Sequence, residues 1–380
     1  MQNHHHKILL DCRFWGSGHT GLGRYTTSLV TELYRQKPKF DLALLINPES
    51  KTEIEAKLNH PQLLLSSSRP YSLTEQLSIS KIIRAFQPDL VHFLHFNVPL
   101  LNRTPFIVTI HDLIKHHSRG LDTTTKSPLF YPIKRLGYQL TMAKVVRQSR
   151  LILTPSQWVK QDILNHYSVN QNKIIVTPEA ADKSYFKSSL PLAVPSYDYL
   201  IYVGNAYPHK NLIQLIKAVQ VFRQNYSNNA KNLKLIIVTA RNVFYDRLRE
   251  HIRKTNAQSS VKLTHFTSDQ RLAGLYRHSL AFITASLSEG FGLPGLEAMA
   301  AKTLVLASNR TALPEVYGPA AIYFNPDNLS DIVAKINQVV NLEPKTRNKL
   351  IQSGIKRVYQ FSWAKTAQLT LKAYENCFSL

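Results

Sequence analysis

The stretch Thr284-Ala-Ser-Leu-Ser-Glu-Gly-Phe-Gly-Leu-Pro-Gly-Leu-Glu-Ala-Met-Ala300 decides how the rest of the chain is interpreted. It follows an apolar, β-prone segment at 280–284, and Pro294 suits the first turn of a helix. The stretch therefore predicts a strand, a glycine loop and a helix start, with Glu289 at the end of the strand and Glu297 in the first turn of the helix. Free N–H groups at a helix N-terminus bind phosphate, and carboxylates accept hydrogen bonds from hydroxyl groups. Phosphate and hydroxyl groups together indicate a sugar nucleotide as the ligand.

The composition suits a chain of two ordinary domains. At 380 residues, each domain is long enough to bury its own core. No apolar run of about 18 residues occurs and no apolar signal segment opens the sequence, so neither a membrane span nor secretion is expected. The two cysteines, Cys12 and Cys377, make no disulfide framework, and a cytoplasmic location is expected. The run 4–6 of histidines has no partner ligands at fixed spacing, so no metal site is predicted.

The net charge is strongly positive, because 47 Lys and Arg residues stand against 24 Asp and Glu residues and give +23. The excess is spread nearly evenly over both halves of the chain, which predicts a broadly basic surface rather than a basic tail. Such a surface attracts nucleotide sugars, lipid diphosphates, anionic lipid surfaces or nucleic acid. A nucleic-acid-binding protein is one alternative function, but the sequence shows no zinc spacing, no RNP-like segment and no basic recognition helix.

Strands and helices alternate along residues 1–187, and this pattern predicts a Rossmann-like domain with a parallel sheet. In parallel sheets, functional residues gather just beyond the carboxyl ends of the strands. Four polar residues fall at such positions in this half of the chain: His95, Asn97, His111 and Asp112. His92 lies inside its strand and is expected to be a buried, hydrogen-bonded core residue.

A second glycine loop near the N-terminus gives a competing interpretation. Gly16, Gly18 and Gly21 satisfy G-x-G-x-x-G between a strand and a helix, which is the dinucleotide-binding pattern. A nicotinamide-binding fold also needs an acidic residue at the end of the second strand. That strand is followed here by Asn47-Pro48, and Glu49 comes late. An NAD-dependent oxidoreductase therefore stays an alternative function.

A second Rossmann-like domain is predicted for residues 188–360, after an irregular linker at about 185–199. Its first strand, 199–203, ends in a loop that carries Lys210. A final segment, 361–380, is predicted to be a helix with an apolar stripe at helical spacing. That stripe consists of Trp363, Ala367, Leu371 and Tyr374.

The glycine-loop stretch resembles the signature of the retaining glycosyltransferases of the GT-B fold, family 4, also called glycosyl transferases group 1. The common pattern there is P-S-x-x-E-G-F-G-L-P-x-x-E-A-M-A; Ala285 replaces its proline, and Lys302 replaces a glycine that usually follows. Further segments resemble other signatures of the family, so that the resemblance runs from Asp11 to Tyr374. They are Gly21-Leu-Gly-Arg-Tyr25, His92–Pro99, Thr109-Ile-His-Asp-Leu113, Tyr202–Leu212 and Thr311-Ala-Leu-Pro-Glu-Val316.

The resemblance implies two Rossmann-like domains that face a central cleft, with the C-terminal helix crossing back to the N-terminal domain. It implies a retaining transferase whose second domain binds a nucleotide-diphosphate sugar and whose first domain binds the acceptor. The catalytic residues it implies are Glu289, His111 and Lys210. The donor-binding residues it implies are Gly21, Gly23, Asn205, Lys210, Phe266, Gly290, Phe291, Gly292, Leu293 and Glu297. The acceptor-binding residues it implies are Arg24, His95, Asn97 and Asp112.

One departure from the family concerns the positive charge beside the diphosphate. Asn205 stands where relatives often carry a second cation, and Arg24 or Lys302 is the expected substitute. No D-x-D-like metal motif is present, so metal-independent transfer is predicted, with no cofactor. The predicted reaction moves a hexose, with mannose preferred, to a glycan or lipid-linked acceptor.

The segment 126–160 is basic and aromatic, and no acidic residue occurs between Asp122 and Asp162. Basic helices with apolar and aromatic side chains can lie on anionic membranes. Peripheral contact with the inner face of the membrane is therefore predicted for this segment, with a merely solvated basic helix as the alternative.

Overall fold

The computed structural model describes residues 5–68, 72–117, 131–186, 195–226, 232–265 and 267–379. These residues form two compact units. The first contains the described residues up to Leu113, those from 131 to Glu179, and those from Ser362 onward; the second contains Ala180–Phe361 and the short segment 114–117.

The first unit ends at Glu179, which is earlier than the boundary expected at 187. The reason is the packing of Tyr185, which was expected to begin an irregular linker. Its buried side chain contacts the second unit's own helix: Tyr185 Oη donates to Asp269 Oδ1 at 3.1 Å, and its ring lies 6.0 Å from the Tyr276 ring. The rest of that linker, 187–194, lies outside the described residues.

The first unit contains a parallel sheet in the order β3-β2-β1-β4-β5-β6-β7. The order reverses between β1 and β4, which is where open α/β sheets bind ligands beyond their carboxyl ends. Its strands are β1 (Lys7–Asp11), β2 (Asp41–Ile46), β3 (Gln62–Leu65), β4 (Leu90–Phe93), β5 (Phe106–Thr109), β6 (Ile152–Thr154) and β7 (Ile174–Val176).

The edge strand β3 is the one strand of this sheet that the sequence pattern did not predict. Its apolar run is short, and Leu65 is 49% exposed at the sheet edge. The other strands are nearly continuous buried apolar runs, as expected for parallel strands covered on both faces. A half-covered edge strand lacks that signal.

The second unit contains a parallel sheet in the order β10-β9-β8-β11-β12-β13, again with a reversal, here between β8 and β11. This is the strand order of a Rossmann fold. Its strands are β8 (Tyr199–Val203), β9 (Lys234–Thr239), β10 (Val261–His265), β11 (Ala281–Thr284), β12 (Val305–Ser308) and β13 (Ala321–Phe324). The prediction of two Rossmann-like parallel-sheet domains is confirmed.

Helices cover the sheets of both units. None of the helices in the described part of the chain is both long enough and apolar enough to cross a membrane. In chain order they are α1 (Thr20–Arg35), α2 (Lys51–Lys57), α3 (Leu73–Phe86), α4 (Ile114–His117), α5 (Tyr131–Gln148), α6 (Gln157–His166), α7 (Leu212–Asn225), α8 (Val243–Lys254), α9 (Asp269–His278), α10 (Leu293–Ala300), α11 (Leu313–Tyr317), α12 (Leu329–Val340), α13 (Pro344–Val358) and α14 (Trp363–Phe378).

The C-terminal helix α14 is part of the first unit, where it packs on α1. Ala367 and Tyr374 are fully buried in the same core as Leu29. Tyr374 also anchors the helix to the sheet, because its hydroxyl lies 2.7 Å from Nδ1 of His92 on β4. His92 Nε2 lies 3.0 Å from Thr109 Oγ1. His92 is thus the buried, hydrogen-bonded core histidine that the sequence predicted.

Candidate functional site

In the second unit, Lys210 and Glu289 meet at the reversal point of the sheet. Lys210 follows β8 and Glu289 follows β11, and these two strands are neighbours although they are distant in sequence. The carboxyl ends of parallel neighbours lie at the same edge, so the two side chains come together. Lys210 Nζ donates to Glu289 Oε1 at 2.7 Å. Their side chains are 17% and 16% exposed, so the ion pair is largely shielded from water.

The Glu289 carboxylate is held in its ionised form. Burial alone would raise its pKa, but the charge and hydrogen bond of Lys210, together with the Ser286 hydroxyl, lower it below its usual range. Ser286 Oγ donates to Glu289 Oε1 at 2.7 Å. A carboxylate in this state accepts hydrogen bonds and cannot act as an acid. Such a group is suited to binding hydroxyl groups.

Two residues that fix Glu289 were not identified from the sequence. One is Ser286, and the other is Thr311, whose Oγ1 accepts from the Glu289 N–H at 2.9 Å. Thr311 has φ of +55°, in the left-handed region that costs a non-glycine residue about 1 kcal/mol or more. Thr311 lies three residues after the end of β12, so its position beyond the carboxyl end of a strand was the signal that could have identified it.

Lys210 supplies the positive charge of this site. The neighbouring His209 is neutral at ordinary pH, because burial and the charge of Lys210 lower its pKa to about 4. His209 has a structural contact as well, since its backbone carbonyl accepts from Leu287 N at 2.8 Å. Of the two expected substitutes for a second cation, Lys302 follows the C-terminal end of α10, about 12–15 Å along the helix from its N-terminus. It is therefore poorly placed for that role.

The glycine loop leads into α10, as the sequence predicted. Gly292, at the N-cap, has φ of +98°, and no side chain caps the helix. A Cβ atom at Gly292 would lie 2.6 Å from Tyr317 Oη, and that hydroxyl donates to the Gly292 carbonyl at 2.7 Å. Tyr317 therefore holds the loop in place, and the N-cap residue, Gly292, offers no side chain to the N–H groups of the first turn. Within that turn, Pro294 has no N–H group and the Gly295 N–H donates to the Gly292 carbonyl at 3.2 Å. Uncapped N–H groups at a helix N-terminus favour an anion.

Glu297 is not where the sequence analysis expected it. It lies in the second turn of α10 rather than the first, and it is 3% exposed, with Tyr276 Oη 3.5 Å from its Oε2. Likewise, β11 ends at Thr284, so Glu289 lies in the loop after the strand. The helix begins at Leu293, one residue before the expected Pro294, and this places Glu297 in the second turn.

The other residues predicted to bind the donor differ in their burial and in their contacts. Gly290, Phe291 and Leu293 are buried, and the Phe291 ring packs edge-on against Phe361 at 5.6 Å, so the two large side chains belong to the core. Asn205 is half-buried, and its carbonyl accepts from Tyr202 Oη at 3.0 Å. Phe266 lies outside the described residues.

In the first unit, the loops after β4, β5 and β7 meet around His111. His111 Nε2 lies 3.0 Å from the Leu94 carbonyl, and His111 Nδ1 lies 3.1 Å from Glu179 Oε1. Glu179 was missed from the sequence, although it follows the last strand of the sheet by three residues. The His95 ring contacts the Phe96 ring in a tilted arrangement, with centroids 4.1 Å apart, and His95 is half-buried. The structure thus brings the predicted residues His95 and His111 into adjoining loops.

Asn97 is engaged in a buried charged network. Its Nδ2 donates to Glu75 Oε1 at 2.7 Å. The same oxygen accepts from Arg13 Nη1. Arg13 also binds Asp11 through two hydrogen bonds, at 2.8 and 2.7 Å. Arg13 and Glu75 are both fully buried, and Asp11 is 5% exposed. This network was not predicted; it ties the loop after β4 to β1 and α3, and it fixes the orientation of Asn97.

Four residues predicted near the substrates lie at the first turns of α1 and after β5. Arg24 and Asp112 are half-buried. Gly21 lies in the first turn of α1, where nothing approaches its virtual Cβ within 4 Å. Gly23 is different, because a Cβ there would lie 1.9 Å from the Gly16 carbonyl oxygen. Close packing of backbone therefore requires glycine at 23, whereas Gly21 leaves an open approach to the uncapped N-terminus of α1.

The two glycines of α1 give a matched pair of substitutions. Gly23→Ala should destabilise the first unit by about 1–3 kcal/mol, because the methyl group overlaps backbone. Gly21→Ala should leave stability unchanged or raise it by up to about 1 kcal/mol, because alanine is the better helix former. Urea denaturation followed by tryptophan fluorescence measures this unit alone, because all three tryptophans, Trp15, Trp158 and Trp363, belong to it. Equal effects of the two substitutions would contradict the packing argument.

Two family models match the chain, one in each half. The model described as Glycosyltransferase Family 4 matches residues 19–185, and the model described as Glycosyl transferases group 1 matches residues 191–357. The first of these matches contains strands β2–β7, and the second contains strands β8–β13.

Similar proteins cover nearly the whole chain. It is 26% identical to the O-antigen chain mannosyltransferase B of Escherichia coli, over 94% of this chain and 96% of that protein. It is 27% identical to the O-antigen chain mannosyltransferase RfbU of Salmonella typhimurium, over 86% of this chain and 89% of that protein. Among solved structures, Anabaena HepE in complex with UDP and glucose superposes with a TM-score of 0.71 at 17% identity, covering 99% of this chain and 100% of that chain. This last similarity shows the fold.

Proposed function

Because the chain is a glycosyltransferase of the GT-B fold, of the group 1 and family 4 type, we propose that it transfers mannose from a nucleotide-diphosphate sugar to a glycan or lipid-linked acceptor in polysaccharide synthesis. The observation that carries the proposal is the Lys210–Glu289 pair beside the uncapped N-terminus of α10. The named activity of two relatives, O-antigen mannosyl transfer, supports mannose as the sugar. We expect the enzyme to work in the cytoplasm.

In this proposal the second unit binds the sugar nucleotide through opposite charges. The diphosphate is placed against Lys210 and the N–H groups at the start of α10, which stabilise the negative charge that grows on the leaving group. The ionised Glu289 accepts hydrogen bonds from hydroxyl groups of the sugar. Lys210 contacts the diphosphate while it stays paired with Glu289. The one ion pair therefore binds both the diphosphate and the sugar of the donor.

Retention of the anomeric configuration is part of the proposal. Lys210 and Ser286 both hydrogen-bond to Glu289 Oε1, which lowers the nucleophilicity of the carboxylate. The acceptor hydroxyl would then attack on the face that the diphosphate leaves, and the departing diphosphate would take the proton. The anomeric configuration of the first product, determined by NMR before it can equilibrate, tests this step; an inverted product would contradict it.

A donor screen followed by a transfer assay tests the function. Thermal shift against GDP-, UDP-, ADP- and dTDP-hexoses should show stabilisation by one nucleotide sugar, because a bound ligand stabilises the folded state by mass action. We expect GDP-mannose to give the largest shift and radiolabelled mannose to appear in a polyprenyl-diphosphate-linked saccharide acceptor. No shift and no transfer with any of these sugars would overturn the proposal. Stabilisation by NADH instead would favour an oxidoreductase.

Transfer should not depend on a divalent cation. Lys210 and the α10 N–H groups supply the positive charge that a metal ion would otherwise supply, and the sequence has no D-x-D-like motif. We expect kcat to be unchanged after dialysis against EDTA. Activity that is lost in EDTA and restored by Mg²⁺ or Mn²⁺ would contradict metal independence.

The basic segment 126–160 is proposed to touch the inner face of the membrane. Its helix α5 leaves Leu136 57% and Leu140 59% exposed, and residues four apart lie on one helix face. Arg147, also exposed, continues that face two turns later. Exposed leucines beside a cation are more typical of a helix that lies at a membrane surface than of a helix surrounded by water. Residues 126–130 of the segment lie outside the described residues.

Vesicle flotation tests this membrane contact with the full chain. The protein should float with vesicles that contain phosphatidylglycerol and should remain unbound with phosphatidylcholine alone, since the contact combines apolar burial with charge. The double variant Leu136→Gln/Leu140→Gln should lose flotation. Leu77→Gln is the matched control, because Leu77 is a 66% exposed leucine on α3 of the same unit. Equal binding by all three proteins would contradict the assignment.

A further inference from the structure

Both ring nitrogens of His111 lie against oxygen atoms that accept hydrogen bonds. Nε2 is 3.0 Å from the Leu94 carbonyl oxygen, which can only accept. Nδ1 is 3.1 Å from Glu179 Oε1, a carboxylate oxygen that accepts when ionised. A neutral imidazole has one N–H group and can satisfy only one of these partners, whereas an imidazolium satisfies both.

The surroundings of His111 favour the charged ring. Burial alone would lower its pKa, but the hydrogen bond and charge of Glu179, the Leu94 carbonyl and the charge of Asp112 raise it above its usual range. Tyr25 from α1 also faces the ring, edge-on at 4.4 Å between centroids, and it is uncharged because burial keeps its pKa high. The two carboxylates on this side of the ring therefore raise the His111 pKa by more than burial lowers it.

His92, on the neighbouring strand, shows the opposite arrangement. Its two nitrogens contact the hydroxyls of Tyr374 and Thr109, and a hydroxyl can either donate or accept. A neutral ring satisfies both contacts, and burial together with the charge of His111 lowers the pKa of His92 to about 3. Two adjacent buried histidines thus differ in charge because one has a carboxylate partner and the other has hydroxyl partners.

We propose that Glu179 is a positioning residue that keeps His111 doubly protonated, so that His111 acts on the substrate as a fixed positive charge and not as a base. With both N–H groups engaged, the ring has no lone pair to take up the acceptor's proton. Its effect on transfer is electrostatic, because a fixed positive charge stabilises negative charge that develops on the substrates. The catalytic role of the charged ring rests on the proposed transferase function. The protonation state of His111 does not depend on that function.

The direction of the pH dependence follows from the raised pKa. A histidine whose folded pKa lies above its unfolded value of about 6.5 stabilises the fold fully below that value, and loses the contribution as pH rises through the folded pKa. Activity that needs the charged ring should therefore persist to a higher pH than an ordinary histidine would allow, and decline above it. Glu179→Gln removes the main cause that raises the His111 pKa, so the decline should move to lower pH.

Histidine-labelled ¹⁵N NMR of the full chain tests the proposal directly. The His111 signals are assigned by their loss in His111→Asn. In a pH titration, both ring nitrogens of His111 should stay protonated in the wild-type protein above the pH at which an ordinary histidine loses its proton. Glu179→Gln should give a neutral ring with one unprotonated nitrogen, because the Gln amide can donate to Nδ1. Glu55→Gln, an exposed carboxylate of the same unit, should leave His111 charged.

Three results would overturn the proposal. A neutral His111 in the wild-type protein would show that the proton lies elsewhere, for example on Glu179. A charged ring that persists in Glu179→Gln would remove Glu179 from its role. An unchanged pH profile of sugar transfer in Glu179→Gln would show that the charge of His111 does not affect catalysis. The wild-type measurement decides the first question even if the variant does not fold. Failure to find any sugar transfer would overturn the proposed function and leave the NMR result standing.

Discussion

Glu289→Gln is expected to lower kcat by about 10²–10³-fold, which is the usual effect of removing one positioned polar group from a transition-state site. The substitution keeps the shape and an oxygen that can accept from Lys210, but it removes the charge that strengthens hydrogen bonds to sugar hydroxyls. The KM for the nucleotide sugar should change little, because the diphosphate contacts remain. Steady-state kinetics with the best donor from the screen measures both constants. Turnover close to that of the wild-type enzyme would overturn the role of Glu289.

Lys210→Met removes the cation of the ion pair and leaves Glu289 in place. Loss of a charged contact to the diphosphate should raise the KM of the donor by about 10- to 100-fold. It should also shift the acid limb of the kcat profile to higher pH: Lys210 is the main cause that lowers the Glu289 pKa, and burial alone raises it. Glu343→Gln is the matched control, since Glu343 is an exposed carboxylate of the same unit. Unchanged donor affinity in Lys210→Met would contradict its phosphate-binding role.

Arg13→Met is expected to reduce the free energy of unfolding of the first unit by about 3–5 kcal/mol. Asp11 and Glu75 would then be two buried carboxylates without their shared cation, which is more costly than the loss of packing. Methionine keeps most of the volume of the side chain, so the effect isolates the charge. Urea denaturation followed by tryptophan fluorescence reports on this unit.

Arg35→Met provides the control for that measurement. Arg35 is 67% exposed and pairs with Glu32 within the same helix, so its replacement should change stability by no more than about 0.5 kcal/mol. An equal effect of the two substitutions would show that the Arg13 network contributes no more than a surface pair. If the network also orients Asn97 for the acceptor, Arg13→Met should in addition raise the KM of the acceptor at temperatures where the protein stays folded.

The regular elements were accessible from sequence because they rest on local pattern. Buried parallel strands are continuous apolar runs, and Lys210 and Glu289 lie in the loops that follow two of them. The ion pair between these residues was not predicted, because it depends on β8 and β11 being neighbours in the sheet. The family resemblance added their roles, which remain proposals until the substitutions are made.

The partners of those residues were not accessible, because strand order and side-chain direction decide them. Glu179, Thr311 and the Arg13–Glu75 pair come from segments far apart in the chain, and no spacing rule links them to their partners. Glu297 shows a second limit: the burial of its side chain depends on what packs against α10, which the local pattern does not show. Edge strand β3 lacked the apolar run on which the prediction depended.

The membership of α14 in the first unit sets the order in which the chain can fold as the ribosome makes it. The first unit needs Ala367 and Tyr374 in its core, so it stays incomplete until the segment that follows the second unit has been made. The second unit takes nearly all its described residues from the continuous run 180–361 and can close earlier. This order differs from the usual N-terminal-first sequence of domain folding. Until α14 has been made, the core surface that it covers in the first unit stays exposed.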